Sequence, residues 1–339
     1  MMNILTVFTG GTIGSTVSKG RINTDAKQCY KLLDLFKQSY PDSNNLQFKT
    51  IQPVQILSEN LFPSVWEILI KAIEAENISD FDGIIVTHGT DTLAFTAAAL
   101  SLYFHSIKIP LLLVSSDYPL DHPQANGLIN FNCAVEFIKQ RNELGVFVPY
   151  KNKNADTLVH LGSRIASSLQ LSGDFISVQS KAFLRFDGTF HQQNVLVSTT
   201  TSNEHSQLTP DFSTRTLLIK PYPGLDYSHF SLDQVDAVLH DLYHSGTACS
   251  IADWGENHSL LQFIKKCCQM NIDLYMAPAI KTDDAYESTK TLLEQGAKMI
   301  WNMSLESAYT KLLLAYGNFN DTDSINQFLE QNIALELIE

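Results

Sequence analysis

The chain reads as an α/β protein. A larger N-terminal domain has a mostly parallel sheet flanked by helices, and a smaller α/β domain follows. Three observations predict this. Continuous apolar runs such as Ile4-Leu5-Thr6-Val7-Phe8 and Leu111-Leu112-Leu113-Val114 suit strands covered on both faces, as parallel sheets require. These runs alternate with segments of helical spacing. Two glycine–threonine phrases, Thr9-Gly10-Gly11-Thr12-Ile13-Gly14-Ser15 and His88-Gly89-Thr90-Asp91-Thr92, each follow an apolar run, where ligands of such sheets bind.

The elements follow in order. Residues 4–8 form the first predicted strand, and 27–39 a helix with the stripe Leu32, Leu33, Leu35 and Phe36. Residues 48–57 read as a strand interrupted at Pro53, and 63–76 as a helix with Pro63 in its first turn, where proline is tolerated. A strand at 83–87 leads to an Ala- and Leu-rich helix at 92–105, then a strand at 111–114, a helix at 126–140 and a strand at 145–148. The polar stretch from Val197 to Ser213 predicts a linker, with domains over 1–200 and 214–339 joined through 201–213. Beyond it, strands are expected at 217–219 and 272–276. Helices are expected at 232–244, 259–270, 286–295, 305–316 and 324–331.

Composition narrows the function. The length of 339 residues suffices for two cores, at roughly 100–200 residues per domain. A net charge of −13 argues against a nucleic-acid partner, because phosphate binding needs a concentrated basic surface. No apolar run nears the roughly 18–20 residues that cross a bilayer, and the N-terminus lacks the features of a signal peptide. A cytoplasmic protein that avoids membranes is expected. The five cysteines, Cys29, Cys133, Cys249, Cys267 and Cys268, give no disulfide framework. No His/Cys/Asp cluster has ligand spacing, so no metal is expected.

The first phrase is not a dinucleotide fingerprint. It carries threonine where glycine must stand first, and Asp25 comes too early to serve as the ribose-binding acid. A Walker A lysine is absent as well, so no organic cofactor is expected. What remains is hydroxyl chemistry. A threonine hydroxyl attacks a carbonyl only if something takes its proton and if donors meet the resulting oxyanion. Glycine-rich backbone at a strand end supplies such donors. Asp91 suits a substrate ammonium group, and His88, at the end of a buried strand, reads as a hydrogen-bonded structural group.

These two phrases together, in this order, resemble the signatures of the bacterial-type L-asparaginases, in a divergent form nearer the cytoplasmic type I. Phe81 to Thr87 leads into the second signature as in that family. Asn126-Gly127-Leu128-Ile129-Asn130 resembles its Asp-Gly-x-x-Asn segment, and Tyr222-Pro223-Gly224 resembles the motif that opens its second domain. The resemblance implies hydrolysis of the side-chain amide of L-asparagine, or of a related small amide, to the acid and ammonia. It implies Thr12 as nucleophile, Thr90 as the second catalytic threonine and Asp91 as the acid that binds the α-amino group. Ser58 would hold the α-carboxylate, with Glu59, Gly11 and Gly89 also lining the substrate. A homodimer or homotetramer with sites near the subunit contact is implied too.

Three positions depart from the family pattern. Where the family has a lysine beside the second threonine and acid, counting from Gly162 or back from Gly173 gives Ser167 or Ser168. Between Lys153 and Lys181 the only cation is Arg164, which cannot readily shuttle a proton. The loop after the first signature has Arg21 where a tyrosine is usual, with Tyr30 the nearest alternative. Asn126 stands where aspartate is usual. Glu59 opposes a carboxylate unless a cation such as Arg21 or Arg164 is near. The alternatives are an impaired member that binds an amino acid-like ligand without turnover, and one acting on another amide or a lactone. A component of an amidotransferase acting on charged tRNA is a weaker reading: it needs a tRNA-binding partner, and the chain shows no appended domain.

Overall fold

The computed structural model describes residues 1–10, 13, 15–18, 21–24, 26–194, 208–282, 284 and 286–338, with backbone alone for 15–18, 21–24 and 26–30. Two compact units result, Met1–Asp211 with Ile333–Leu335, and Phe212–Asn332 with Glu336–Glu339. Of the expected linker, 201–207 lies outside the described residues.

The first unit runs β1 Met2–Val7, β2 Ser15–Ser18, β3 Arg21–Thr24, α1 Ala26–Ser39, β4 Leu46–Ile51, α2 Pro63–Glu74, β5 Gly83–Thr87, α3 Leu93–Tyr103, β6 Pro110–Val114, α4 Gly127–Gln140, β7 Gly145–Lys151, β8 Thr157–Leu161, β9 Leu184–Phe186 and β10 Phe190–Gln192. Its eight-stranded sheet has the order β10-β9-β8-β7-β6-β5-β1-β4, and β2–β3 is a separate antiparallel hairpin. Strands β4, β1, β5, β6 and β7 are mutually parallel, while β8, β9 and β10 turn antiparallel. The central strands are fully buried, as their continuous apolar sequences require.

One face of this sheet presents Ile4, Phe8, Ile85, Leu112 and Val114 to Leu32 and Phe36 of α1 and Phe131 and Phe137 of α4. Each such side chain contributes about 1.5–3 kcal/mol when fully buried. Helix α2 buries Trp66, Leu69, Ile70 and Ile73, one stripe at helical spacing. Helix α3 is buried almost all round, which matches its unbroken Ala- and Leu-rich sequence.

The second unit runs β11 Thr216–Ile219, β12 Ala237–Asp241, α5 Leu260–Gln269, β13 Asp273–Ala279, α6 Glu287–Glu294, β14 Lys298–Trp301, α7 Leu305–Asn318 and α8 Thr322–Glu330. Its four strands are parallel and in sequence order. The helix expected at 232–244 is instead a turn and strand β12. Its apolar residues do fall at helical spacing. However, Ala237, Val238 and Leu239 are fully buried between β11 and β13, and Gln234 has φ 60°, which no helix accommodates.

A buried charge pair ties the end of this unit together. The side chains of Lys311 and Glu336 are fully buried and 2.5 Å apart. Lys311 Nζ also donates to the carbonyls of Leu329, at 3.2 Å, and Gln331, so its three protons are all used. Burial pushes the ammonium pKa down, and Glu336 opposes that shift. Lys311→Met should cost about 3–5 kcal/mol by removing the buried cation that faces the Glu336 carboxylate. Lys311→Met with Glu336→Leu should recover most of that loss. Urea unfolding of both variants checks this, and a neutral single variant would refute it.

Candidate active site

The site begins where β1 ends. Beyond Val7, Phe8 continues the ladder with its N–H on the Ile51 carbonyl at 2.9 Å. The Ile56 N–H donates to the Thr9 carbonyl at 2.9 Å, and Gly10 bridges Ile56 in parallel. At Gly10 only glycine fits: φ is 99°, and a Cβ would stand 2.6 Å from the Ile56 carbonyl oxygen. On the other side the buried Thr9 hydroxyl donates to the Thr87 carbonyl at 2.6 Å. The tip of β1 is thereby fastened both to the extension of β4 and to the end of β5. Ile13 is buried in the core on the α1/α4 face. Gly11, Thr12 and Gly14 lie outside the described residues, as do the side chains of Arg21 and Tyr30.

The β4 extension delivers Ser58 to the second signature. Ser58 Oγ donates to Asp91 Oδ2 at 2.9 Å and accepts the Asp91 N–H at 3.2 Å. The Thr92 hydroxyl donates to the Ser58 carbonyl at 2.9 Å. Ser58 and Gly89 are buried, Thr90 is half-buried, and Asp91 and Glu59 are exposed. The structure therefore brings Ser58 and Asp91 into direct contact and puts Thr90 beside Asp91 at the start of α3.

His88 sits beneath this loop in a closed hydrogen-bond chain. Its Nδ1 is 2.8 Å from the Gly89 carbonyl and its Nε2 is 2.9 Å from Thr96 Oγ1. A carbonyl only accepts, so Nδ1 carries the proton and Nε2 accepts from Thr96. The Thr96 oxygen in turn accepts from Trp66 Nε1 at 3.0 Å. Both ring nitrogens are occupied, and burial pushes the imidazole pKa down to about 4. His88 is structural and neutral, as its place at a strand end suggested. Its partners Trp66 and Thr96 emerge only from the fold.

Two asparagines hold the neighbouring strand ends. Asn126 Oδ1 accepts the Asp117 N–H at 2.8 Å, and its Nδ2 donates to the Lys151 carbonyl at 2.9 Å. Asn130 Nδ2 donates to the Ser115 carbonyl and Oδ1 accepts the Lys151 N–H, each at 2.9 Å. The bond to Lys151 needs the amide donor that asparagine carries and an aspartate lacks. Arg164 Nε donates to the Leu335 carbonyl. Ser167 and Ser168 are half-buried in the segment after β8. Among the described residues no group of His, Cys, Asp and Glu could hold a metal ion, and no helix is long and apolar enough to cross a membrane.

A mostly parallel sheet carrying glycine–threonine loops at its strand tips is the construction of asparaginase-type amidohydrolases, an enzyme class. Residues 3–193 match the family model described as Asparaginase, N-terminal, and the chain belongs to the asparaginase family. It is 26% identical to an L-asparaginase of Thermococcus kodakarensis, over 99% of each chain. A solved structure, "The thermostable L-asparaginase from Thermococcus kodakarensis", superposes with a TM-score of 0.81 over all of both chains, at 23% identity. The L-asparaginase I structure from Vibrio cholerae gives 0.80 at 20% identity, over 100% of this chain and 99% of that one. These superpositions bear out the expected fold class. The chain is also 26% identical to a subunit of the glutamyl-tRNA(Gln) amidotransferase of Methanococcus maripaludis, covering 100% of this chain and 81% of that protein.

The buried histidines set an acid limit on stability. Burial lowers His88, His160 and His240 alike from 6.5 to about 4. Below pH 6.5 the unfolded chain takes up protons that the folded chain refuses. Stability from these groups is therefore complete above that pH and falls as pH drops toward 4, by up to about 3 kcal/mol per histidine. Urea midpoints measured across the window should fall accordingly, and His88→Gln should flatten the slope. Midpoints that stay level would contradict the assignment.

Proposed function

We propose that the chain hydrolyses the side-chain amide of L-asparagine, or of a closely related small amide, with Thr12 as nucleophile. The observation that carries this reading is the Ser58–Asp91 hydrogen bond, which joins the second signature loop to the β4 extension beside the tip of β1. Thr12 follows Gly10 by two residues.

In this reading the Thr12 hydroxyl oxygen bonds to the amide carbon, and the C–N bond breaks as ammonia leaves with the hydroxyl proton. Water, polarised by Thr90, then cleaves the ester and returns the proton to Thr12. Backbone N–H groups at Gly11 and Gly89 meet the oxyanion. The Ser58 hydroxyl has one proton, and without substrate it goes to Asp91. When substrate binds, its ammonium takes over the Asp91 carboxylate, and Ser58 turns its proton to the substrate carboxylate. The pair is thus set up to exchange an internal bond for two substrate bonds. Glu59, exposed next to Ser58, biases the site against ligands with additional negative charge. A cytoplasmic homodimer or homotetramer fits this role.

Two further readings have specific support. The likeness to subunits of glutamyl-tRNA(Gln) amidotransferases supports use of the released ammonia by a partner that holds charged tRNA. The absence of lysine between Lys153 and Lys181 supports a ligand-binding protein without turnover. An ammonia assay on purified chain separates the readings. Asparagine should release ammonia, and Thr12→Ala should abolish it. Thr90→Ala should slow it about 10²–10⁴-fold. Stabilisation by aspartate in a thermal-shift assay without ammonia release would favour the binding protein. Ammonia release only in the presence of a tRNA-binding partner and charged tRNA would favour the amidotransferase role.

A further inference from the structure

The second unit has its own strand tips. Its four strands are all parallel, and ligands of such sheets bind beyond the carboxyl ends. A cavity of about 460 Å³ opens there, where the chain leaves β11 through Pro221-Tyr222-Pro223-Gly224 and leaves β12 at Tyr243. That volume suits a small ligand. Three tyrosines and a tryptophan line it, Tyr222, Tyr227, Tyr243 and Trp254, together with Cys249 and His258. Trp254 is 77% exposed, Tyr222 53% and Tyr243 40%. Large aromatic rings left in water around one concavity need an explanation that scattered surface residues do not.

The wall of the cavity is fixed before any ligand arrives. The Tyr227 ring stacks on Phe263 with centroids 4.6 Å apart and planes at 17°. Its hydroxyl donates to His240 Nε2 at 2.9 Å. His258 Nδ1 donates to the Leu225 carbonyl at 2.8 Å. Acidic residues adjoin the lining residues in sequence, with His229 Nε2 4.0 Å from Asp226 Oδ2. Asp226, between the lining residues Leu225 and Tyr227, accepts from the Ser228 N–H and hydroxyl and from Asn257. The Ser228 bonds, reinforced by Asn257, hold its carboxyl below the usual range, so it stays anionic. Asp253 adjoins Trp254, and Glu256 follows two residues on. Lys220, the neighbouring base in sequence, interacts with Asp241.

We propose that this cavity is a binding site for a small organic cation of the methylated-ammonium class, held against the faces of Tyr222, Tyr243 and Trp254 with Asp226 supplying the field. Aromatic faces attract such cations, and tryptophan does so most strongly. Among the described residues no group of His, Cys, Asp and Glu could hold a metal ion, and Asp226, next in sequence to two lining residues, disfavours an anion. The inference does not rest on the amidohydrolase reading.

The test titrates choline, and its neutral carbon isostere 3,3-dimethylbutan-1-ol, into the full-length chain. Tryptophan emission and calorimetry provide the readouts. Trp66 is 1% exposed, and a Trp254→Phe variant identifies the reporter. Choline should give a saturable signal, with the isostere at least about tenfold weaker, and Trp254→Leu and Tyr243→Leu should each weaken choline about tenfold. Circular dichroism verifies that each variant is folded, and the second substitution serves if the first is not. Equal binding of the isostere, or no saturable choline signal at tens of millimolar, overturns the proposal. So does a change in sedimentation on Trp254→Leu, which would make this surface a contact between copies of the chain.

Discussion

The backbone of Gly10 touches the backbone of Ile56, and the arrangement of the strand tips depends on that contact. Its φ of 99° and the 2.6 Å clearance exclude any side chain. With Gly10 in place, the extension of β4 runs alongside the tip of β1 and carries Ser58 to Asp91. The Thr9 hydroxyl fastens the same tip to Thr87. Three neighbouring parallel strands are thus locked at one end by main-chain and hydroxyl bonds, with no ion pair needed. A site built on strand ends is held more precisely than one on free loops.

The neighbouring strand ends are held by side-chain amides. Asn126 uses its amide donor on the Lys151 carbonyl while its oxygen takes the Asp117 N–H. Asn130, four residues on and so on the same face of α4, closes a second pair of bonds between Ser115 and Lys151. The ends of β6 and β7 are therefore bridged twice by one helix. The Arg164 side chain is turned to the Leu335 carbonyl, so part of its hydrogen-bonding capacity serves the chain's own final segment.

Much of the first unit was legible because its strands are buried on both faces and read as plain apolar runs. Leu111 to Val114 could be nothing else. The turn at Gly10 and the acid at Asp91 were legible as loops at strand ends. Strand β12 was not, because Leu232, Val235, Leu239 and Leu242 repeat at a helical interval, and only burial between two other strands decides against a helix. Strands β8, β9 and β10 were missed too: β8 buries the polar Thr157 and His160 among its apolar residues, and β9 and β10 leave residues such as Arg185 and Phe190 half-exposed, so none gives a continuous apolar signal. The Trp66–Thr96–His88 chain joins residues 30 and 8 positions apart, and nothing local in the sequence marks such partners.

The uncharged state of His88 has an electrical consequence. The ring lies close enough to Asp91 for that carboxylate to favour its protonation. A cationic ring there would set a positive charge beside the Asp91 carboxylate. Burial prevents this, and the directed bonds through Thr96 and Gly89 leave neither nitrogen open to water. The loop of the second signature therefore rests on a rigid support that is itself electrostatically silent.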